Sequence, residues 1–171
     1  YEVLNIHKKI KGAIMKVKLK TGEVVDIIPG SSLKIIQNRG KFSYGTDAIL
    51  LSSFANIKKN SKVIDLGTGT GIIPLFLYSR HEINKIYGIE IQEEVADMAR
   101  RSISLNDLGE EIEILHMDLK NLPNKFNAGE FHVVTSNPPY IQGGGGIVNK
   151  KDNFALSRHE IACSLIDVIK V

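Results

Sequence analysis

Asn137-Pro138-Pro139-Tyr140 puts an amide, a rigid carbonyl and an aromatic ring within four residues. Two successive prolines cannot continue a strand ladder, and they hold the backbone in a stiff extended turn. The turn fixes the Asn137 amide and the Pro138 carbonyl relative to each other. Both oxygens are acceptors, so together they can hold both hydrogens of an NH2 group. Tyr140 offers a face on which a flat group can stack. An amine on a heteroaromatic ring is a poor nucleophile because its lone pair is delocalised. Two acceptors on its hydrogens favour the pyramidal form and aim it for in-line attack, so no strong base is required. By itself the tetrapeptide indicates a planar amine or amide and no more. Cys163 lies on a helix-like segment and reads as packing. The histidines at 7, 81, 116, 132 and 159 lack metal-ligand spacing, and His159 reads as structural or surface.

A second pattern precedes it. Asp65-Leu66-Gly67-Thr68-Gly69-Thr70-Gly71 joins a strand-like run to a helix-like one. Glycines at such a junction allow a sharp turn and let a ligand lie against the main chain. Dinucleotide sites use G-x-G-x-x-G to meet a pyrophosphate. Here the order is D-x-G-x-G-x-G, and the leading carboxylate suits a cationic ligand better. Glu90 falls 19 residues after Gly71, where a carboxylate can accept from both ribose hydroxyls. Asp118 closes Leu115-His116-Met117-Asp118-Leu119, giving three acids at three successive strand ends.

The elements that must position these residues read as an alternation. Lys62–Leu66, Lys85–Ile89, Glu111–His116 and Phe131–Ser136 are strand-like, the first an apolar run suited to a buried parallel strand. Between them, Ile72–Arg80 and Gln92–Asn106 are helix-like, the latter with Val95, Met98, Ala99, Ser102 and Leu105 on one face. Thr46 is expected to cap a helix over Asp47–Asn56, with Asp47 in its first turn. Residues 152–170 suggest another helix, and Gly143–Gly146 a loop. Upstream, residues 13–20 and Glu23–Ile28 are expected to form a hairpin around Thr21-Gly22, and Leu33–Gln37 a further short strand. The expected fold is α/β: a Rossmann-like, mostly parallel sheet with helices on both faces. Residues 1–45 form a small basic β-rich segment and 46–171 the ligand-binding domain. Four strands are few for this architecture, and the chain starts at tyrosine, so a piece of a longer protein is expected.

Composition narrows the partners. The 171 residues include 43% hydrophobic and 24% charged side chains, as in ordinary globular proteins. No apolar run nears the roughly 20 residues that cross a bilayer. One cysteine points to a reducing compartment, so the cytoplasm is expected. Residues 1–45 hold nine Lys/Arg against three acids, whereas the remainder holds 13 against 16. Such a basic lobe suits a polyanion, because Lys and Arg displace its counterions.

With the glycine motif, the acids and Asn137–Tyr140 in place, the sequence resembles the class I S-adenosylmethionine-dependent methyltransferases. Within them it is similar to the bacterial tRNA1(Val) adenine-37 N6-methyltransferases, through Leu33–Asn38, Phe42–Leu51 and Arg158–Ile161 over about residues 25–170. The resemblance implies S-adenosylmethionine as cofactor, S-adenosylhomocysteine as product, and the N6 amine of an adenine in tRNA or another nucleic acid as acceptor. It implies cofactor contacts from Tyr44, Thr46, Asp47, Asp65, Gly67, Thr68, Gly69, Gly71, Glu90, Ile91, Asp118, Leu119 and Asn137. Asn137, Pro138 and Tyr140 would serve the reaction. The segment before about residue 23 has no match, and the family's later strands have no counterpart. A release-factor glutamine methyltransferase shares Asn-Pro-Pro-Tyr, but its usual helical N-terminal domain does not fit residues 1–45. DNA adenine methylation uses the same amine chemistry, and a fragment that binds cofactor without catalysis is a further alternative.

Overall fold

The computed structural model describes residues 5–10, 13–137 and 168–169, with side chains from residue 17 onward. The expected helix over 152–170 lies outside the described residues except for Val168 and Ile169, which are helical. The Gly143–Gly146 stretch lies outside them too.

Four strands, β5 (Ser61–Leu66), β6 (Ile83–Glu90), β7 (Ile112–His116) and β8 (Val133–Ser136), form a parallel sheet in the order β7-β6-β5-β8. Helix α2 (Ile72–Arg80) joins β5 to β6, and α3 (Glu93–Leu105) joins β6 to β7. Both crossovers step in one direction along the sheet, so right-handed connections lay both helices on the same face. There Ile73, Phe76 and Leu77 of α2 and Ala96, Ala99 and Ile103 of α3 cover Val63, Ile86, Ile112 and Ile114. The step from β7 back to β8 reverses direction and crosses the opposite face. A 3-10 turn (Leu119–Asn124) lies on that side with Leu119 and Leu122, and Phe126, Phe131 and Val168 pack around them. Tyr87, Phe126 and Phe131 meet edge to face at 5.0 to 5.8 Å between centroids. Strand periodicity explains the division, since Val63 faces one layer while Ile64 and Leu66 face the other. The expected parallel α/β sheet is thus the one observed.

The N-terminal pairing differs from expectation. Strand β2 (Ala13–Lys18) pairs antiparallel with β1 (Asn5–Ile10), and β3 (Glu23–Ile27) pairs with β4 (Lys34–Asn38). The Thr21-Gly22 turn does form: the Glu23 N–H donates to the Lys20 carbonyl at 3.0 Å, and Gly22 has φ +83°. Its flanking strands nevertheless do not pair. Arg101 of α3 donates to the Lys18 carbonyl (3.1 Å) and to both Glu23 carboxylate oxygens (2.7 and 2.6 Å), so both sides of the turn are tied to the helix. Strand β4 rests on α3, where Ile36 joins Val17, Met98 and Leu105, and the Ile36 N–H donates to the Ser102 hydroxyl at 2.9 Å.

Helix α1 (Thr46–Phe54) also starts differently. Gly45 occupies the cap position without a side-chain bond, and Thr46 is the first helical residue instead of the cap. Asp47 lies in the first turn as expected, and α1 packs on α2.

Candidate functional site

Strand β5 neighbours both β6 and β8, so the chain's direction of travel across the sheet reverses between β5 and β8. In open α/β sheets, ligands settle outside the carboxyl ends of the strands at such a reversal. The glycine loop leaves β5 there, and Asn137 leaves β8 there. The register pairs Leu66 with Ser136 and with Ile89, and Glu90 with His116, so one rim carries the glycine loop, Glu90, Asp118 and Asn137.

The loop's conformation requires its glycines. Gly67, Gly69 and Gly71 have φ of +72°, +58° and +87°, in the left-handed region that other residues rarely adopt. A Cβ on Gly67 or Gly69 would meet nothing within 4 Å, so the loop's outer surface is open to a ligand. The N–H groups of Gly67 and Thr68 both donate to the Ile89 carbonyl at 2.9 Å, tying the loop to β6. Glu90 is buried at the end of β6, accepting from the Gly69 N–H at 3.0 Å and the Gln92 N–H at 2.9 Å.

Asp65 is fully buried. Its Oδ1 accepts from the Thr135 hydroxyl at 2.7 Å, while Oδ2 and the neighbouring Thr68 Oγ1 lack a well-formed hydrogen bond. Burial pushes the Asp65 carboxyl up to about 6, with the Thr68 and Thr135 hydroxyls easing that rise and the Glu90 charge adding to it. A buried carboxylate with one oxygen short of a well-formed partner, beside an open glycine loop, fits a ligand that brings a positive charge or donors. Thr135 was not foreseen; a polar residue inside the apolar run of β8 was the available signal, and the parallel register sets it opposite Asp65.

Asp118 does not end the third strand, because β7 stops at His116. Asp118 instead caps the 3-10 turn, its Oδ1 accepting from the Lys120 N–H at 3.0 Å. Leu119 is buried beneath the turn. The carbonyl of Ile91 accepts from His116 Nε2 at 3.0 Å, which fastens the loop after β6 to the end of β7.

Tyr44, Thr46 and Asp47 approach from the N-terminal side. Gln37 of β4 accepts from the Tyr44 N–H at 3.0 Å and donates to Asp26 at 2.7 Å, which carries the loop across to α1. Tyr44 is half-buried, and burial and the Asp26 charge raise its phenol above the ordinary range. Thr46 and Asp47 are exposed. Asp47 Oδ2 accepts from Asn137 Nδ2 at 2.7 Å across 90 residues of sequence, a contact no local spacing announces. Pro138 and Tyr140 lie outside the described residues.

A family model described as the methyltransferase small domain matches residues 32–156. The tRNA1(Val) (adenine(37)-N6)-methyltransferase of Bacteroides fragilis is 33% identical over 97 residues, covering 57% of this chain and 40% of its own length. The protein of that name from Histophilus somni is 33% identical over 138 residues, covering 78% and 56%. The chain spans about half the length of the curated relatives it matches. Among solved structures, TrmN from Thermus thermophilus aligns with TM-score 0.46 and 26% identity, over 54% of this chain and 27% of that one.

Proposed function

The chain belongs to the methyltransferase small domain family, and from that premise we propose that it transfers a methyl group from S-adenosylmethionine to the N6 amine of an adenine in RNA, with tRNA the first candidate. The observation carrying this reading is Asn137 leaving β8 beside the glycine loop of β5, its side chain held by Asp47. When bound, S-adenosylmethionine supplies an electrophilic methyl group on a positively charged sulfur.

The chain's own residues do the rest. The glycine loop gives main-chain room, Glu90 accepts from ribose hydroxyls, and Asp118 with Ile91 and Leu119 borders the adenine. Asp65 balances positive charge from beneath the loop, while Tyr44, Thr46 and Asp47 flank the methionine end. Asn137 Oδ1 and the Pro138 carbonyl accept the two amine hydrogens, and Tyr140 stacks on the acceptor base. The amine is thereby oriented for in-line attack without a general base, and its surplus proton leaves to solvent. The names of the curated relatives favour tRNA, as does the excess of Lys and Arg in residues 1–45. Among the described residues no helix is long and apolar enough to cross a membrane.

The test is incubation with methyl-labelled S-adenosylmethionine and, separately, bulk tRNA, duplex DNA and a peptide release factor. The expected result is N6-methyladenosine in digested tRNA. Label in release factor alone would overturn the RNA reading, and label in DNA alone would move the acceptor to DNA adenine.

A further inference from the structure

We infer that Asp47 is a positioning residue: it locks the Asn137 amide so that Oδ1, not Nδ2, is presented to the acceptor amine. The inference rests on the amino-group reading above and adds what makes Asn137 competent for it. An Asn side chain is nearly symmetric in shape and opposite in hydrogen-bonding sense at its two ends. With Nδ2 turned inward it would face the amine donor to donor. An ionised carboxylate only accepts, so the 2.7 Å contact identifies the Asn137 end nearest Asp47 as Nδ2. The planar amide then directs Oδ1 away from Asp47. Among the described residues nothing donates to that oxygen, which leaves it for an incoming hydrogen.

The surroundings keep the carboxylate in place. Asp47 sits in the first turn of α1, where the helix dipole favours a negative charge. Gly45, directly before the helix, makes room for it: a Cβ there would collide with Asp47 Oδ1. The Gly45 backbone is extended, φ −99° and ψ 175°, so alanine is conformationally acceptable and its effect would fall on the Asp47 carboxylate. Gly45 and Asp47 thus give two independent ways to disturb one hydrogen bond.

The experiment compares wild type, Asp47→Asn, Gly45→Ala and Asn137→Ala in the full chain. It reads the Asn137 side-chain amide signals by 1H–15N NMR, S-adenosylhomocysteine affinity by calorimetry, and kcat and KM with tRNA. Asp47→Asn substitutes an amide that either donates or accepts, which removes the preference for one orientation. We expect it to shift the Asn137 amide signals and lower kcat about twofold or more, since two equally populated orientations leave about half of the amides wrongly turned, and by a larger factor than any loss of cofactor affinity. Gly45→Ala should move the same signals and lower kcat in the same direction. Unaltered amide signals, or unaltered kcat in Asp47→Asn, would overturn the inference. So would a tenfold or greater loss of cofactor affinity with kcat preserved, which would make Asp47 a cofactor ligand instead. Normal turnover in Asn137→Ala would sink the amino-group reading itself, whatever Asp47 does.

Discussion

Thr135 donates its hydroxyl hydrogen to Asp65 Oδ1 at 2.7 Å across the β5–β8 pair, and this single bond is the well-formed partner of a fully buried carboxylate. Burial raises the Asp65 carboxyl from its ordinary 3.8 to about 6. A group raised on folding favours the folded state only while protonated, so the ligand-free protein should lose stability as pH rises from about 4 to about 6. The full cost above that window is on the order of 3 kcal/mol. Asp65→Asn retains an acceptor for Thr135 and removes the charge. We expect its melting temperature to exceed wild type by several degrees at pH 8, roughly 2–4 °C per kcal/mol recovered, and to match it near pH 4. Cofactor affinity should fall tenfold or more in the same variant. A stability difference that does not change with pH would show that the Asp65 charge is not the source.

Glu90 has each carboxylate oxygen on a different backbone N–H, one from the glycine loop and one from the start of the β6–α3 connection. Replacing it with Gln turns one of those contacts donor to donor, at a cost of about 1–3 kcal/mol. The second lone pair on each oxygen remains for ribose hydroxyls. Calorimetry with S-adenosylhomocysteine and its 2′-deoxy analogue separates the two roles. Glu90→Gln should weaken binding of the ribose form more than of the deoxy form. Equal losses would confine Glu90 to holding the loop.

The sheet was legible because each strand and helix from β5 to β8 carries its own apolar period, and the turn glycines mark the junctions. The rim residues were legible as strand-end positions, since a parallel sheet gathers all such ends on one side. What escaped is nonlocal. The Lys20–Glu23 turn reads correctly, but its strands part because Arg101, about 80 residues away, binds both of its sides. The Asp47–Asn137 bond likewise joins two motifs whose spacing says nothing about contact. Asp118 caps a 3-10 turn that contains Pro123, and an irregular stretch of that length has no period to read.

Gly88 shows a dependence of the loop on the sheet beneath it. A Cβ there would lie 2.7 Å from Ile114 Cδ1 and 2.9 Å from Thr68 Cγ2 and Oγ1. Alanine at 88 should therefore overpack β6 against the glycine loop and cost about 1–3 kcal/mol. Adding Thr68→Ala removes one of the two obstructions. Denaturant unfolding of both single variants and the double should show the double more stable than the sum predicts. Strict additivity would mean the strain falls on Ile114 alone.

Arg101 joins the N-terminal strands to the rim at the strand ends through α3. Its fork binds Glu23, its Nε binds Asp97 at 3.0 Å, and Glu23 is nearly enclosed with its side chain 2% exposed. Burial alone would raise the Glu23 carboxyl, but the Arg101 bonds and charge, the Lys20 N–H and the Lys20 charge outweigh it and hold it below 4.5. A carboxyl lowered on folding contributes stability above its unfolded value, and that contribution is lost as pH falls through the folded value. Arg101→Ala leaves the enclosed Glu23 without its guanidinium partner and with the Lys20 N–H as its remaining bond, so we expect a loss of about 3 kcal/mol at pH 7. The loss should shrink as Glu23 protonates in acid, leaving the part that comes from the Arg101 bond to the Lys18 carbonyl. Arg101→Lys should recover only part of it, because an ammonium cannot span both carboxylate oxygens. Hydrogen exchange should quicken first in β3 and β4, which hold Gln37 and through it the Tyr44 loop ahead of Asp47. If exchange in β3 and β4 is unchanged while the whole chain destabilises, Arg101 supports α3 and not the docking of the N-terminal strands.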